Sequence, residues 1–231
     1  MFNYSSFPIT SLAFLLSGIF LGVFCFNRFT EYRKLTTNLV TKQFWLASFY
    51  VSLGFFIFGL PGLFTSQPMI LSVFAGIALI VNSIGFSFFA LIPLNNWLSA
   101  RSYVLTKYGL FLFVSLLAAC LIIRPPMTTL VSGIVHWNFG YLIGILAAIQ
   151  MDVAFMLNIL LLGIHFYRFQ QLSAINAMLL IITFTLTGLG GTYQYVGDSA
   201  LLLSLSAAGL YVGVTAIFFS VVRVNISKLL S

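Results

Sequence analysis

Seven long apolar runs alternate with short polar interruptions along this chain. The first extends from Ile9 to Phe26 and gives way to a basic stretch, Asn27 to Gln43. The second, Phe44 to Phe64, stops at Thr65-Ser66-Gln67-Pro68. The third, Met69 to Ile92, ends at Pro93 and the polar pair Asn95-Asn96, and the fourth, Tyr108 to Ile123, is closed by Arg124-Pro125-Pro126. One unusually long region follows, Leu130 to Ile164; then come Ile175 to Leu189, ended by Gly190-Gly191, and Ala200 to Val222. A helix crosses the hydrocarbon core with about 20 apolar residues, so this alternation predicts seven transmembrane helices. The fifth region has 35 residues, about 52 Å as a helix against a core about 30 Å thick. Either the helix is strongly tilted or its first part lies elsewhere; the favoured reading is a short interfacial segment over Met127–Val135 and a span over 138–164. Trp137 then suits the headgroup boundary, where indole keeps its N–H wet.

The basic residues orient the bundle. With the N-terminus outside, Arg28, Arg33, Lys34, Lys42, Arg101, Lys107, Arg168, Arg223 and Lys228 are all cytoplasmic, and Arg124 alone lies outside. That asymmetry is the positive-inside pattern of an odd number of spans. The fold expected is an all-α bundle of seven transmembrane helices in one membrane domain, N-terminus out and C-terminus in. The leader Met1–Pro8 carries no positive side chain, so the first run reads as a span rather than a secretory signal.

Composition narrows the function classes. Of 231 residues, 61% are hydrophobic and 6% charged, and the mean hydropathy is +1.12. Three acids and ten bases cannot cover a water-soluble fold, which excludes a soluble enzyme. The net charge of +7 fits basic loops on an anionic membrane surface rather than a nucleic-acid partner. The expected partners are the lipid bilayer and, beyond it, a membrane protein or a second copy of the chain.

Candidate chemistry is sparse. Asp152 is the one acid inside a span, and no Lys or Arg lies deep enough in any run to pair with it. It is either a neutral carboxyl bridging helices or a ligand, proton or cation site. On a helix, Asn138, Tyr141, Ala148, Asp152 and Met156 share one stripe. Asn82 and Asn158 are further mid-membrane polar groups, either interhelical hydrogen-bond donors or ligand contacts, and Asn158 points about 120° away from Asp152. His136 and His165 are 29 residues apart, about 43 Å along a helix, too far for two axial ligands of one haem. His136 is an interface or site-rim residue. No Cys, His and carboxylate cluster has metal-ligand spacing, and no span carries the lysine that retinal needs, so no metal or cofactor is expected. Cys25 and Cys120 fall at opposite ends of their spans, too far apart for a disulfide. Asp198-Ser199 reads as a helix N-cap or the edge of an outer vestibule.

Glycines four residues apart mark helix faces that let a neighbouring backbone approach. Such pairs occur at Gly18/Gly22, Gly140/Gly144 and Gly209/Gly213. The first and fifth helices share the motif, and the second and sixth both end in a glycine turn, Gly59-Leu60-Pro61-Gly62 and Gly188-Leu189-Gly190-Gly191. Two parallel three-helix repeats joined by a fourth span, a 3+1+3 build, would show this.

The opening combines an uncharged tip, an apolar helix, the basic loop Asn27-Arg28 to Tyr32-Arg33-Lys34, and Phe44-Trp45-Leu46-Ala47-Ser48-Phe49 running on to Gly54-Phe55. Over roughly the first 90 residues it resembles the bacterial seven-helix input modules at the front of membrane histidine kinases. That resemblance implies a sensor in the bacterial cytoplasmic membrane. The departure is that the chain stops at Ser231 with no output domain, so the output is expected on a separate partner. The proline-glutamine turn of small seven-helix sugar carriers is absent.

No constellation for bond-breaking chemistry is present, and a non-enzymatic receptor-like or accessory module is the first expectation. A small-solute carrier with Asp152 as its coupled site is the second. Its further polar candidates are Asn82, Asn158, Tyr141 and Tyr211. A structural subunit of a larger membrane complex is the third.

Overall fold

The computed structural model describes residues 8–34, 39–131, 134–169, 174–196 and 199–223. The chain is mostly helical: α1 (Ile9–Lys34), α2 (Leu39–Gly59), the short α3 (Pro61–Phe64), α4 (Pro68–Trp97), α5 (Ala100–Ile123), α6 (Tyr141–Phe169), α7 (Ala174–Val196) and α8 (Ala200–Arg223). Among the described residues, Lys42–Phe64, Pro68–Trp97, Ala100–Ile123 and Tyr141–Leu161 are long and apolar enough to cross a membrane. Ile9–Val23 and Leu201–Thr215 are shorter apolar stretches of helix. This is an integral membrane protein. The N-cap expected at Asp198 lies outside the described residues, as do Lys228 and the rest of the tail.

Six helices form a closed ring in chain order, α1–α2–α4–α6–α7–α8, with α8 returning to α1. Packing is closest inside the two arcs, α1–α2–α4 and α6–α7–α8, and lighter at the seams α4–α6 and α8–α1. Helix α5 stands outside the ring against α4 and barely meets α6. Its inner face is fixed by Phe111 edge-on to Phe88 and by a hydrogen bond from Gln43 to the Tyr103 hydroxyl.

The expected all-α architecture needs one correction. Where an interfacial segment was read, an antiparallel hairpin stands: β1 (Met127–Val131) and β2 (Ile134–Asn138), with Val131 opposite Ile134 and Met127 opposite Asn138. Pro125-Pro126 ends α5, and the β-branched Thr128, Thr129, Val131, Ile134 and Val135 favour the pleated form. The hairpin roofs one end of the ring. Val135 and Trp137 turn inward and are buried. The strand N–H of Val135 donates to Thr10 Oγ1 at 2.9 Å and that of Thr128 to Ser72 Oγ at 3.0 Å, so two strand donors are satisfied by helix hydroxyls. Trp137 is 5% exposed, its ring edge-on to Phe14 and Phe58 with centroids 5.0 and 5.1 Å away. It is therefore a core residue rather than a wet boundary indole.

Two expected helix ends are absent. Helix α4 runs through Pro93 to Trp97 because the carbonyl freed four residues back, that of Phe89, accepts from Asn158 Nδ2 at 2.9 Å. Helix α7 runs through Gly188–Gly191 to Val196. Its glycines serve close packing instead: a Cβ on Gly190 would lie 2.8 Å from the Ser206 carbonyl oxygen of α8.

Candidate functional site

The glycines read as packing positions divide. A Cβ on Gly18 would come within 2.8 Å of the Phe56 backbone nitrogen, and one on Gly22 within 3.0 Å of Ser52 Oγ. These two bring α1 onto α2, where Ser52 Oγ donates to the Gly18 carbonyl at 2.7 Å. Gly144 meets the Tyr195 carbonyl of α7 in the same way, at 2.6 Å, and Gly213 is buried on α8. Gly140 and Gly209 are corrections: neither Cβ would meet anything within 4 Å. Gly140 precedes α6 and takes φ +76°, so it serves the turn out of β2 rather than a helix face. The correspondence of the first and fifth runs through paired glycines is thereby lost, as is that of the second and sixth runs through glycine turns.

Three of the five expected binding residues share one recess of about 720 Å³ at the hairpin end. His136 and Asn138 come from β2 and Tyr141 from the start of α6, with Thr129, Tyr195 and Val196 completing the walls. His136 lies opposite Thr129 across the hairpin. Asn138 is a strand residue, which removes it from the helical stripe drawn through Tyr141 and Asp152. Its Oδ1 accepts the Gly140 N–H at 2.9 Å, a local turn bond. Tyr141 is 86% exposed on the rim.

Asp152 lies elsewhere, at the α6–α7 contact. Thr192 Oγ1 donates to its Oδ1 at 2.6 Å, and Gly188, one turn before Thr192, lies beside the carboxyl. Asn158 faces α4, as just described, and Tyr211 stands against Phe20 of α1. Asp152, Asn82, Asn158 and Tyr211 thus do not converge on one cavity. Cys25 and Cys120 are free thiols. The side chain of His165 lies outside those described, and among the described residues no three His, Cys, Asp or Glu side chains gather.

The interior holds a polar seam between α4 and α6. Gln150 Nε2 donates to the Ser83 carbonyl and to Ser87 Oγ, both at 3.0 Å, and its Oε1 is buried without a partner. Gln150 was not among the expected residues, although an amide inside the run Leu130–Ile164 was a signal as plain as Asp152. Asn82 is 0% exposed and sits in the notch left by Gly54 of α2. The Tyr195 hydroxyl approaches it from α7 as its polar neighbour. Among the described residues, every buried polar side chain is uncharged.

The ring helices also line a narrow, partly open cavity of about 50 Å³ that no single run announces. Its wall takes Leu21 from α1, Ala47 from α2, Phe86 from α4, Phe155 from α6, Thr187 from α7 and Val214 from α8. Six phenylalanines line it, and Ser48 and Thr187 are its polar wall residues. Such a wall offers no driving force to hold water and suits an apolar occupant. The space is far below that of a drug-sized site and takes about three to five water-sized groups, so any occupant of it is small.

No protein-family model, curated protein or solved structure matches this chain.

Proposed function

We propose that this protein is a non-enzymatic, receptor-like membrane module that takes a small, membrane-soluble ligand between the helices of its ring. In this reading seven helices span the bilayer, the N-terminus and the hairpin lie outside, and the C-terminus is cytoplasmic. The membrane is the bacterial cytoplasmic one implied by the resemblance to kinase input modules. The observation that carries the reading is the phenylalanine-lined cavity whose wall is drawn from all six ring helices. A ligand there touches both arcs and both seams at once, so its differential affinity for two ring packings can shift their populations. Photolabelling with a small alkyl diazirine of three or four carbons in proteoliposomes tests it. Label on the peptides carrying Leu21, Ala47 and Phe155 should fall in a Val214→Phe variant, while label on the lipid-facing Leu112 and Leu116 of α5 persists. Labelling of the wall that is indifferent to filling the cavity would refute the proposal.

One observation favours a second reading, a small-solute carrier of 3+1+3 build. The two arcs α1–α2–α4 and α6–α7–α8 with α5 outside are the division such a carrier requires. It ranks second because the ring cavity is apolar, whereas a solute path needs converging polar groups, and because the Asp152 carboxyl is engaged by Thr192. Uptake of a solute panel by proteoliposomes, with and without a pH gradient and in Asp152→Asn, separates the two.

A further inference from the structure

We infer that the hairpin end of the molecule binds one phospholipid. Its phosphate sits at Arg124, its acyl chains enter the cleft between α5 and α6, and a hydroxylated head group fills the recess of His136, Asn138 and Tyr141. The site shares no wall residue with the ring cavity, so it stands or falls apart from the function proposed above.

Two recesses adjoin at this end. Beside the one of about 720 Å³ already described, a second of about 360 Å³ lies between the last turn of α5 and the first turn of α6. Gly140 and Tyr141 line both, so one molecule can occupy the two together. Each volume falls within the range of about 300–1,000 Å³ usual for small-molecule sites. The smaller recess exists because α5 stands against α4 and barely meets α6. Cys120, Ile123, Leu142 and Ile143 make its walls apolar, and Arg124 is its one cation. Ile123 and Leu142 are exposed on helices long and apolar enough to cross a membrane, so the cleft opens to acyl chains.

Local sequence places the cation. Arg124 caps α5, its N–H donating to the Cys120 carbonyl at 2.8 Å, and Pro125 stops the helix there. Asp152 is the one acid among the described side chains, and Thr192 holds it at the α6–α7 contact, so Arg124 has no described counter-charge. A guanidinium in that position suits a phosphate, which it can grip with two N–H donors at once. Beyond Tyr141 the larger recess offers the Thr129 and Tyr141 hydroxyls, the Asn138 N–H₂ and the His136 imidazole, with no carboxylate. Head-group hydroxyls find donors and acceptors there, whereas an ammonium finds no partner.

The purified full chain is titrated in detergent micelles with dioleoyl phosphatidylglycerol, dioleoyl phosphatidylcholine or glycerol 1-phosphate, and bound molecules are counted by native mass spectrometry. The wild type should bind one phosphatidylglycerol about tenfold more tightly than phosphatidylcholine, the effect of one well-made hydrogen bond. Arg124→Gln should weaken phosphatidylglycerol about tenfold or more, Arg124→Lys less, and Arg101→Gln at the other end of α5 not at all. Tyr141→Phe should narrow the preference over phosphatidylcholine. Bound phosphatidylglycerol should also slow alkylation of Cys120 by N-ethylmaleimide, and that protection should vanish in Arg124→Gln. Equal binding of the two lipids, or an equal loss in Arg124→Gln and Arg101→Gln, would reveal unspecific attraction and overturn the inference. Glycerol 1-phosphate binding as tightly as the lipid, or a Cys120 that the lipid leaves unprotected, would overturn it by removing the chains from the cleft.

Discussion

Asn158 makes the hydrogen bond that Pro93 cannot. Proline has no N–H, so the Phe89 carbonyl four residues earlier loses its helical partner. In hydrocarbon no water can take that place, and the Asn158 amide of α6 supplies the donor at 2.9 Å. The bond holds α4 continuous and joins the two arcs of the ring at their α4–α6 seam.

Asn158→Leu should accordingly destabilise the protein by about 1–2 kcal/mol, at the upper end for interhelical hydrogen bonds in membranes. In a Pro93→Ala background, where the backbone N–H is restored, the same substitution should cost about 1 kcal/mol less. Equilibrium unfolding in mixed detergent micelles gives the cycle. Equal costs in both backgrounds would show that the two residues are not coupled.

Glycine positions predict opposite outcomes for one substitution. A Cβ on Gly59 would lie 2.4 Å from the Leu15 backbone nitrogen, which cannot move aside as a side-chain tip can. Gly59→Ala should cost about 1–3 kcal/mol through overpacking. Gly209→Ala meets nothing within 4 Å and should fall within about 0.5 kcal/mol of the wild type. Thermal unfolding of the two purified variants makes the comparison.

Asp152→Asn keeps an oxygen in place for the Thr192 hydroxyl. Its stability should lie within about 0.5 kcal/mol of the wild type, and Thr192→Val should cost about 0.6 kcal/mol or somewhat more. A several-fold larger loss in Asp152→Asn would mean that the carboxylate charge, not the oxygen, holds α6 to α7.

The orientation is tested by accessibility. Cysteines at the exposed Thr129 of β1 and Arg101 of α5 lie at opposite ends of the bundle. In intact cells a membrane-impermeant maleimide should label Thr129→Cys and spare Arg101→Cys. The reverse pattern would invert the topology.

Much of the helical plan was legible in the run lengths alone, because a helix in lipid needs an apolar stretch and little else. What escaped were features decided by partners distant in sequence. Pro93 looked like a helix end because Asn158, which repairs it, is far along the chain. Gly190-Gly191 reads as a turn because the α8 backbone against Gly190 and the Met151 side chain against Gly191 are not visible locally. The hairpin was the exception: β-branched residues on both sides of Ser132-Gly133 are a local strand signal, hidden inside an apolar run read at helical period. At the site, His136, Asn138 and Tyr141 are near neighbours in sequence and were found together, while the ring cavity draws on six helices and has no motif.

Native mass spectrometry of protein taken directly from its own membrane tests the central claim most directly. The wild type should carry one small apolar molecule bound between the ring helices, and Ala47→Phe, with its helical content unchanged, should lose that molecule. A wild type that emerges without it, or equal occupancy in wild type and variant, would contradict a ligand between the helices of the ring.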